Sequence, residues 1–296
     1  MFKRKTVLFV PGNTPAMLIS APVLGADSVI FDLEDGVSHS EKDAARILVR
    51  EAYRTLECGG LERIARINGL DTPFWQDDLR AVVSAGIDTV LLPKCDSRQV
   101  VEQLSEALLG EEQRLGLALN SIQILPIIES ALAVENAFQI ACSDPRVTGL
   151  LLGAEDLAAD LMAKRSLSGE EIAYARGRVV NAARAAGIDA IDTPFTVIDD
   201  LDNLRQDAEL AKQMGFTGKA LISPLHTRVV NQVFAPSEQE LGWAKRIVIA
   251  MKQAEHDKKG AFSVDGAMVD GPIVKRALRI LNSVENAERT SQCMKN

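Results

Sequence analysis

The chain has 296 residues, 47% hydrophobic and 25% charged, the composition of a globular protein large enough to bury a substantial core. A net charge of -8 and a pI near 5.1 exclude a broadly basic face for nucleic acid or anionic membrane, so any anionic ligand must be met by local positive groups. Met1 to Lys5 runs straight into a strand-like segment without a signal-peptide pattern, and no apolar stretch approaches the ~20 residues that span a bilayer. Cys58, Cys95, Cys142 and Cys293 show no Cys-x-x-Cys spacing, which argues against zinc or a disulfide framework and makes the cytoplasm the expected compartment.

From Thr6 to about Phe234, short apolar strands alternate with amphipathic helices. Strands are expected at Val7 to Val10, Ser28 to Leu33, Arg63 to Ile67, Thr89 to Leu92, Ile122 to Ile128, Gly149 to Leu152, Ala190 to Asp192 and Ala220 to Ile222. Helices fall between them, among them Glu41 to Leu56, Pro73 to Ala85, Arg98 to Leu109, Ala131 to Ala141, Glu170 to Ala186 and Leu201 to Met214. About eight such units in roughly 230 residues match a TIM (β/α)8 barrel. A doubly wound open sheet is the alternative, but no Gly-x-Gly-x-x-Gly follows the first strand.

The barrel domain is therefore expected over residues 1–234. Past the break at Ala235-Pro236-Ser237, residues 235–296 read as a C-terminal helical extension. It comprises a helix over Glu238 to Glu255, a glycine-punctuated segment from Gly260 to Pro272, and a final helix over Ile273 to Ala287 before a frayed end. The punctuated segment is apolar between its glycines, so it is expected to dock as a lid on its own barrel rim or a neighbour's.

In such a barrel the chemistry gathers where the strands end. Those positions read Pro11-Gly12-Asn13, Asp32-Leu33-Glu34-Asp35-Gly36, Arg66-Ile67-Asn68, Pro93-Lys94, Glu129, Gly153-Ala154-Glu155-Asp156, Asp192-Thr193-Pro194 and Ser223-Pro224. Nearly all are polar, charged or backbone-exposing, and Pro11 and Gly12 are candidate substrate contacts of the last kind. Glu129 and Asp156 each follow an Ile- or Leu-rich run and lie 27 residues apart, about one strand-helix-strand repeat. If their strands are neighbours about 4.8 Å apart, two hard oxygen ligands face one point, as a Mg²⁺ site requires. Each also has a plainer role open to it, as the cap of the helix it precedes.

The other rim residues carry paired readings too. Arg66 either binds a substrate carboxylate or developing enolate oxygen, or forms a structural ion pair with Asp35 or Glu34. Lys94 balances the acidic groups or, like Lys219, forms a Schiff base with a keto acid. Glu34 and Asp35 either hold metal-bound water or cap the turn before Val37. Asp270 either caps the last helix or is carried by the lid as an acid or base. His39, His226 and His256 are expected on the surface or in loops, without chemistry.

Together, Leu8-Phe9-Val10-Pro11-Gly12-Asn13, Phe31-Asp32-Leu33-Glu34-Asp35-Gly36-Val37, Arg66-Ile67-Asn68, Leu92-Pro93-Lys94, Ile128-Glu129-Ser130, Gly153-Ala154-Glu155-Asp156-Leu157, Met214-Gly215-Phe216-Thr217-Gly218-Lys219 and Gly266-Ala267-Met268-Val269-Asp270-Gly271-Pro272 resemble the citrate lyase beta subunit family. That family includes free-standing malyl-CoA and citramalyl-CoA lyases. The resemblance implies a Mg²⁺-dependent lyase that binds the metal through Glu129 and Asp156, contacts substrate through Arg66 and holds a keto-acid carboxylate on the backbone of Gly153, Ala154 and Glu155. It further implies that Asp270 comes from an adjacent subunit's lid, in a homotrimer or hexamer. One departure is Ile222-Ser223-Pro224-Leu225-His226, where relatives often read Ile-His-Pro-x-Gln.

The expected reaction is cleavage of a 3-hydroxy acyl thioester, such as citramalyl-CoA or a citryl thioester, into an acetyl thioester and pyruvate or oxaloacetate. The carrier is coenzyme A or, in a citrate lyase complex, an acyl carrier protein. Two readings stand against it: a Schiff-base aldolase and a non-catalytic thioester-binding subunit.

Overall fold

The computed structural model describes residues 4–256 and 262–293. The chain divides into two compact units, Met1–Phe234 and Ala235–Asn296. In the first, eight parallel strands close into a ring in sequence order: β1 (Thr6–Pro11), β2 (Ser28–Asp32), β3 (Glu62–Arg66), β4 (Thr89–Leu92), β5 (Gln123–Ile128), β6 (Gly149–Leu152), β7 (Asp189–Asp192) and β8 (Gly218–Leu221). The helices are α1 (Pro15–Ser20), α2 (Lys42–Thr55), α3 (Trp75–Ser84), α4 (Arg98–Leu115), α5 (Ala131–Ala141), α6 (Ala154–Asp160), α7 (Ala173–Ala186), α8 (Leu201–Met214) and α9 (Leu225–Phe234). This is the expected TIM barrel.

The strands read as apolar runs because both of their faces are covered. Every residue of β2, β4, β6 and β8 is buried. Val7, Ile30, Ile64, Leu91, Leu125 and Leu151 pack with one another, while their neighbours Leu8, Val29, Phe31, Ala65, Val90 and Leu92 belong to a separate apolar layer shared with the helices. That alternation is the pleat of a small barrel, with a filled interior and helices outside. The ring closes where β1 pairs with β8, in the register Thr6 with Lys219 and Leu8 with Leu221. A Cβ at Gly218 would lie 1.7 Å from the Arg4 carbonyl oxygen, so only glycine admits the chain at this seam.

In the barrel, one helix end and one burial depart clearly from expectation. The helix expected to stop at Leu109 before Gly110 continues to Leu115, because Leu104, Leu108 and Glu112 all turn inward. It ends instead at Gly116, in left-handed backbone. His226, expected at the surface, is fully buried at the start of α9, with Nε2 2.9 Å from the Ile198 carbonyl oxygen.

The N-terminal end of the barrel is closed by paired charges. Arg4 binds Glu62 with Nε–Oε2 at 2.8 Å and Nη2–Oε1 at 2.6 Å, and Ser28 and Thr89 hydroxyls donate to the same carboxylate. Arg146 and Glu112, both wholly buried, form two parallel bonds of 2.7 Å. The Glu112 carboxylate also accepts from the Asn120 and Ile122 amides. Burial works to raise its pKa, but these bonds win and hold it down at about 2.

In the second unit, α10 (Glu238–His256) precedes a hairpin of β9 (Phe262–Val264) and β10 (Ala267–Val269), followed by α11 (Gly271–Cys293). Ala244, Ile247, Val269 and Ala277 form its core. The segment expected as a glycine-punctuated lid is thus a hairpin turning at Asp265-Gly266, both with positive φ, the favoured two-residue turn. Gly260, Ala261 and the last three residues lie outside the described residues, as do the side chains of His256 and Cys293. Among the described residues no helix is long and apolar enough to cross a membrane.

Candidate active site

The strands deliver their last residues to one rim by register. β2 and β3 pair Asp32 with Arg66, so the arginine meets the one acid of Asp32-Leu33-Glu34-Asp35 that ends the strand. Arg66 Nε and Nη2 each reach an Asp32 oxygen at 2.6 Å, a bidentate pair, while Nη1 lies 2.8 Å from Glu34 Oε2. The guanidinium also sits 5.0 Å from the Phe9 ring centroid. Burial works to lower the Arg66 pKa, but Asp32 outweighs it and the charge is fixed. The expected partners were Asp35 or Glu34; Glu34 is one, and the principal clamp is Asp32.

Asp32 was missed as a site residue. A signal for it exists in the sequence: its two carboxylate oxygens accept from the Glu34 and Gly36 amides at 2.9 Å, an Asx-type turn that Asp-x-x-x-Gly permits. Glu34 is itself buried, and burial pushes its pKa up against the opposing charge of Arg66.

Glu129 follows β5 and Asp156 lies in the first turn of α6, which begins two residues after β6. β5 and β6 are paired neighbours, with Ile128 beside Leu152, so the two carboxylates converge to within 4 Å of one nitrogen, the Lys94 ammonium. Glu129 is only 5% exposed, and burial pushes its pKa up to about 7. Asp156 is more open; burial opposes ionisation there too, but hydrogen bonds from Lys94 and Glu129 leave its pKa lowered. Glycine at 153 makes room for this pair, since a Cβ there would lie 2.7 Å from Glu129 Cβ and 2.9 Å from its Oε2.

Lys94 binds the cluster together. Its backbone amide donates to Glu129 Oε1 at 2.6 Å, and its ammonium donates to Asp156 Oδ2 at 2.6 Å. The same ammonium lies 3.7 Å from Glu129, 3.9 Å from Asp35 and 4.0 Å from Glu34. Its backbone is left-handed, at φ 51°, an uncommon conformation for a lysine.

The remaining candidates divide. Gly153 N donates to the Ile128 carbonyl and Ala154 N to Thr193 Oγ1, so two of the three expected carboxylate-binding amides are already committed. The amides of Glu155 and Asp156, by their position in the first turn, lack intrahelical acceptors. The Glu155 side chain points to Arg165, 2.9 Å away. Pro11 pairs with Asp32 at the rim, whereas Gly12 is explained by packing: its Cβ would meet the Asp32 carbonyl oxygen at 2.5 Å and Val49 at 2.9 Å. Asp270 caps α11, accepting from Ile273 N at 3.4 Å.

Neither lysine of the Schiff-base alternative is a free amine. Lys219 is wholly buried, its ammonium bound to Asp192 and Asp207 at 2.6 Å and to the Thr193 carbonyl at 2.7 Å. The Lys94 pKa is raised despite partial burial, because Asp156 and Glu129 hold its proton, and an ammonium is no nucleophile. Among the described residues no three His, Cys, Asp or Glu side chains form a metal cage. Two converging carboxylates with open positions are instead the arrangement that Mg²⁺ accepts.

The chain matches the family model for HpcH/HpaI aldolase/citrate lyase over residues 5–224. It is 44% identical to the citrate lyase subunit beta of Leuconostoc mesenteroides subsp. cremoris over 94% of this chain and 92% of that one. It is 34% identical to a (3S)-malyl-CoA thioesterase of Cereibacter sphaeroides over 95% of this chain and 94% of that one. Among solved structures it superposes with a TM-score of 0.78 on the protein CitE from Mycobacterium tuberculosis in complex with magnesium, acetoacetate and coenzyme A. That pair shares 31% identity and covers 94% of this chain and 97% of the other.

Proposed function

The chain belongs to the HpcH/HpaI aldolase/citrate lyase family, and from that premise we propose that it is a Mg²⁺-dependent carbon-carbon lyase acting on a 3-hydroxy acyl thioester. The observation that carries the reading is the convergence of Glu129 and Asp156 beside the clamped Arg66. Hard carboxylate oxygens in an acid-rich rim fit the ion, and magnesium is bound by the CitE neighbour. Glu129 and Asp156 would hold it, and bound there it would supply Lewis acidity and positive charge.

Cleavage breaks the bond between the carbinol carbon and the carbon next to the thioester. The hydroxyl proton passes to the Asp270 carboxylate of an adjacent subunit, the oxo acid departs, and the bonding electron pair passes to the thioester as an enolate. Arg66, held by Asp32, stands ready to donate to that enolate oxygen without reorganising; one such donor is typically worth about 3 kcal/mol. The Glu155 and Asp156 amides receive the oxo-acid carboxylate, and Asp270 returns a proton to the enolate carbon. The higher identity to citrate lyase beta subunits supports a citryl thioester and oxaloacetate, with citramalyl-CoA and pyruvate second.

The test is a turnover panel. Purified protein, with Mg²⁺ or EDTA, receives citryl-CoA, (S)-citramalyl-CoA and malyl-CoA, and citryl on an acyl carrier protein, while 2-oxo-acid release is followed. Metal-dependent oxo-acid release is expected, and its survival in EDTA would sink the metal mechanism. A second reading, hydrolysis of the thioester, draws on the malyl-CoA thioesterase relative and predicts free thiol without oxo acid. Ligand binding with no turnover of any kind would favour the non-catalytic subunit. Light scattering on the same sample tests assembly as a homotrimer or hexamer.

A further inference from the structure

We propose that Lys94 is the rim's resident cation: its ammonium holds the Glu129–Asp156 pair together without a divalent ion and moves aside toward Glu34 and Asp35 when one binds. The inference rests on the metal-site reading above and extends it to a residue that coordinates nothing. Three features of the geometry carry it. The ammonium already bonds Asp156 Oδ2 at 2.6 Å and lies 3.7 Å from Glu129 Oε1, so one positive charge serves both proposed ligands. A second berth is in reach, since Glu34 Oε1 and Asp35 Oδ2 lie 4.0 and 3.9 Å from the same nitrogen. The backbone of Lys94 is anchored separately, by its amide bond to Glu129 Oε1, in the left-handed conformation.

The anchoring matters because it separates two jobs. The amide keeps Glu129 in place whatever the side chain does, while the flexible four-carbon stem lets the charge move. Without Lys94, two carboxylates that both reach within 4 Å of its nitrogen would face each other uncompensated. With it, metal binding becomes an exchange of one cation for another, and the lysine sets how tightly the metal holds.

The experiment uses the full-length chain and Mn²⁺ as the probe, counted by electron paramagnetic resonance, with thermal unfolding in EDTA measured beside it. Lys94→Met is expected to bind Mn²⁺ about tenfold tighter than wild type, since a competing charge within about 4 Å has gone. It should also melt several degrees lower in EDTA and recover when Mn²⁺ is added. Lys94→Arg, which keeps the charge, should bind Mn²⁺ close to the wild-type level. If Lys94→Met does not fold without metal, Lys94→Gln is measured in its place. Equal or weaker Mn²⁺ binding by the neutral variant, against measurable binding by wild type, overturns the inference and leaves the metal site standing. No binding by either protein overturns the metal site itself, and this inference with it.

Discussion

The two ends of the barrel are built from the same residue types and put them to opposite uses. At the N-terminal end, Arg4 faces Glu62, Arg146 faces Glu112 and Arg63 faces Asp88, acid matched to base. At the C-terminal rim, Asp32, Glu34, Asp35, Glu129 and Asp156 form their ion pairs, among the described residues, with Arg66 and Lys94. At the first end each acid named is held in an ion pair; the other carries five acids to two bases, with Glu34 and Glu129 raised in pKa by burial and a lysine in left-handed backbone. A closed charge pair serves the fold, whereas an unbalanced set of acids retains affinity for something brought from solution.

That contrast can be broken from either side. The largest effect is expected at the bottom: Arg146→Ala leaves Glu112 buried and unpaired, and should cost about 3–5 kcal/mol in denaturant unfolding while the remaining folded protein keeps its kcat. At the rim the pattern should invert. Glu129→Ala should lower oxo-acid release by at least about a hundredfold, with a melting temperature in EDTA no lower than wild type, because the carboxylate removed is one that burial disfavours. Loss of fold with that variant would show that the rim is structural after all.

A smaller effect joins the two properties. Gly153→Ala pushes a Cβ against Glu129 and Ile127, so it should destabilise by about 1–3 kcal/mol and weaken Mn²⁺ binding, both visible in one titration followed by melting. The smallest effect is on pH dependence. Glu129 is raised from its ordinary 4.5 to about 7, so the folded state binds the extra proton, and without metal its contribution to stability is full below 4.5 and lost as pH rises through 7. Asp156 is shifted the other way, so its contribution is present above its ordinary 3.8 and lost only as pH falls below that. Glu129→Gln should therefore flatten the stability profile between pH 4.5 and 7 in EDTA and leave the acid limb as it was.

The barrel was legible because strands covered on both faces leave uninterrupted apolar runs, and their polar endings mark the rim. Arg66, Lys94, Glu129 and Asp156 stand out for that reason. What could not be read is what depends on register. Which of three nearby acids clamps Arg66 follows from the pairing of Asp32 with Arg66, a relation between strands 34 positions apart. Thr193, which takes up the Ala154 amide, is likewise set by how β7 lies beside β6. The bottom network draws single residues from β3, α4 and the approaches to β1 and β6, with no local motif to announce it. The Asp265-Gly266 hairpin is different: its turn signal, an Asp-Gly pair between short apolar runs, is local and lies in the sequence itself.

The seam at Gly218 bears on how the molecule comes into being. Without β8, β1 lacks its second neighbour, and a sheet of the other seven strands has two raw edges. The final stitch joins residues more than two hundred positions apart, a long loop closure of the kind that slows folding. A bulkier residue at 218, where the Arg4 carbonyl leaves no room, would block closure of that open sheet and expose it to aggregation before any chemistry could be assayed.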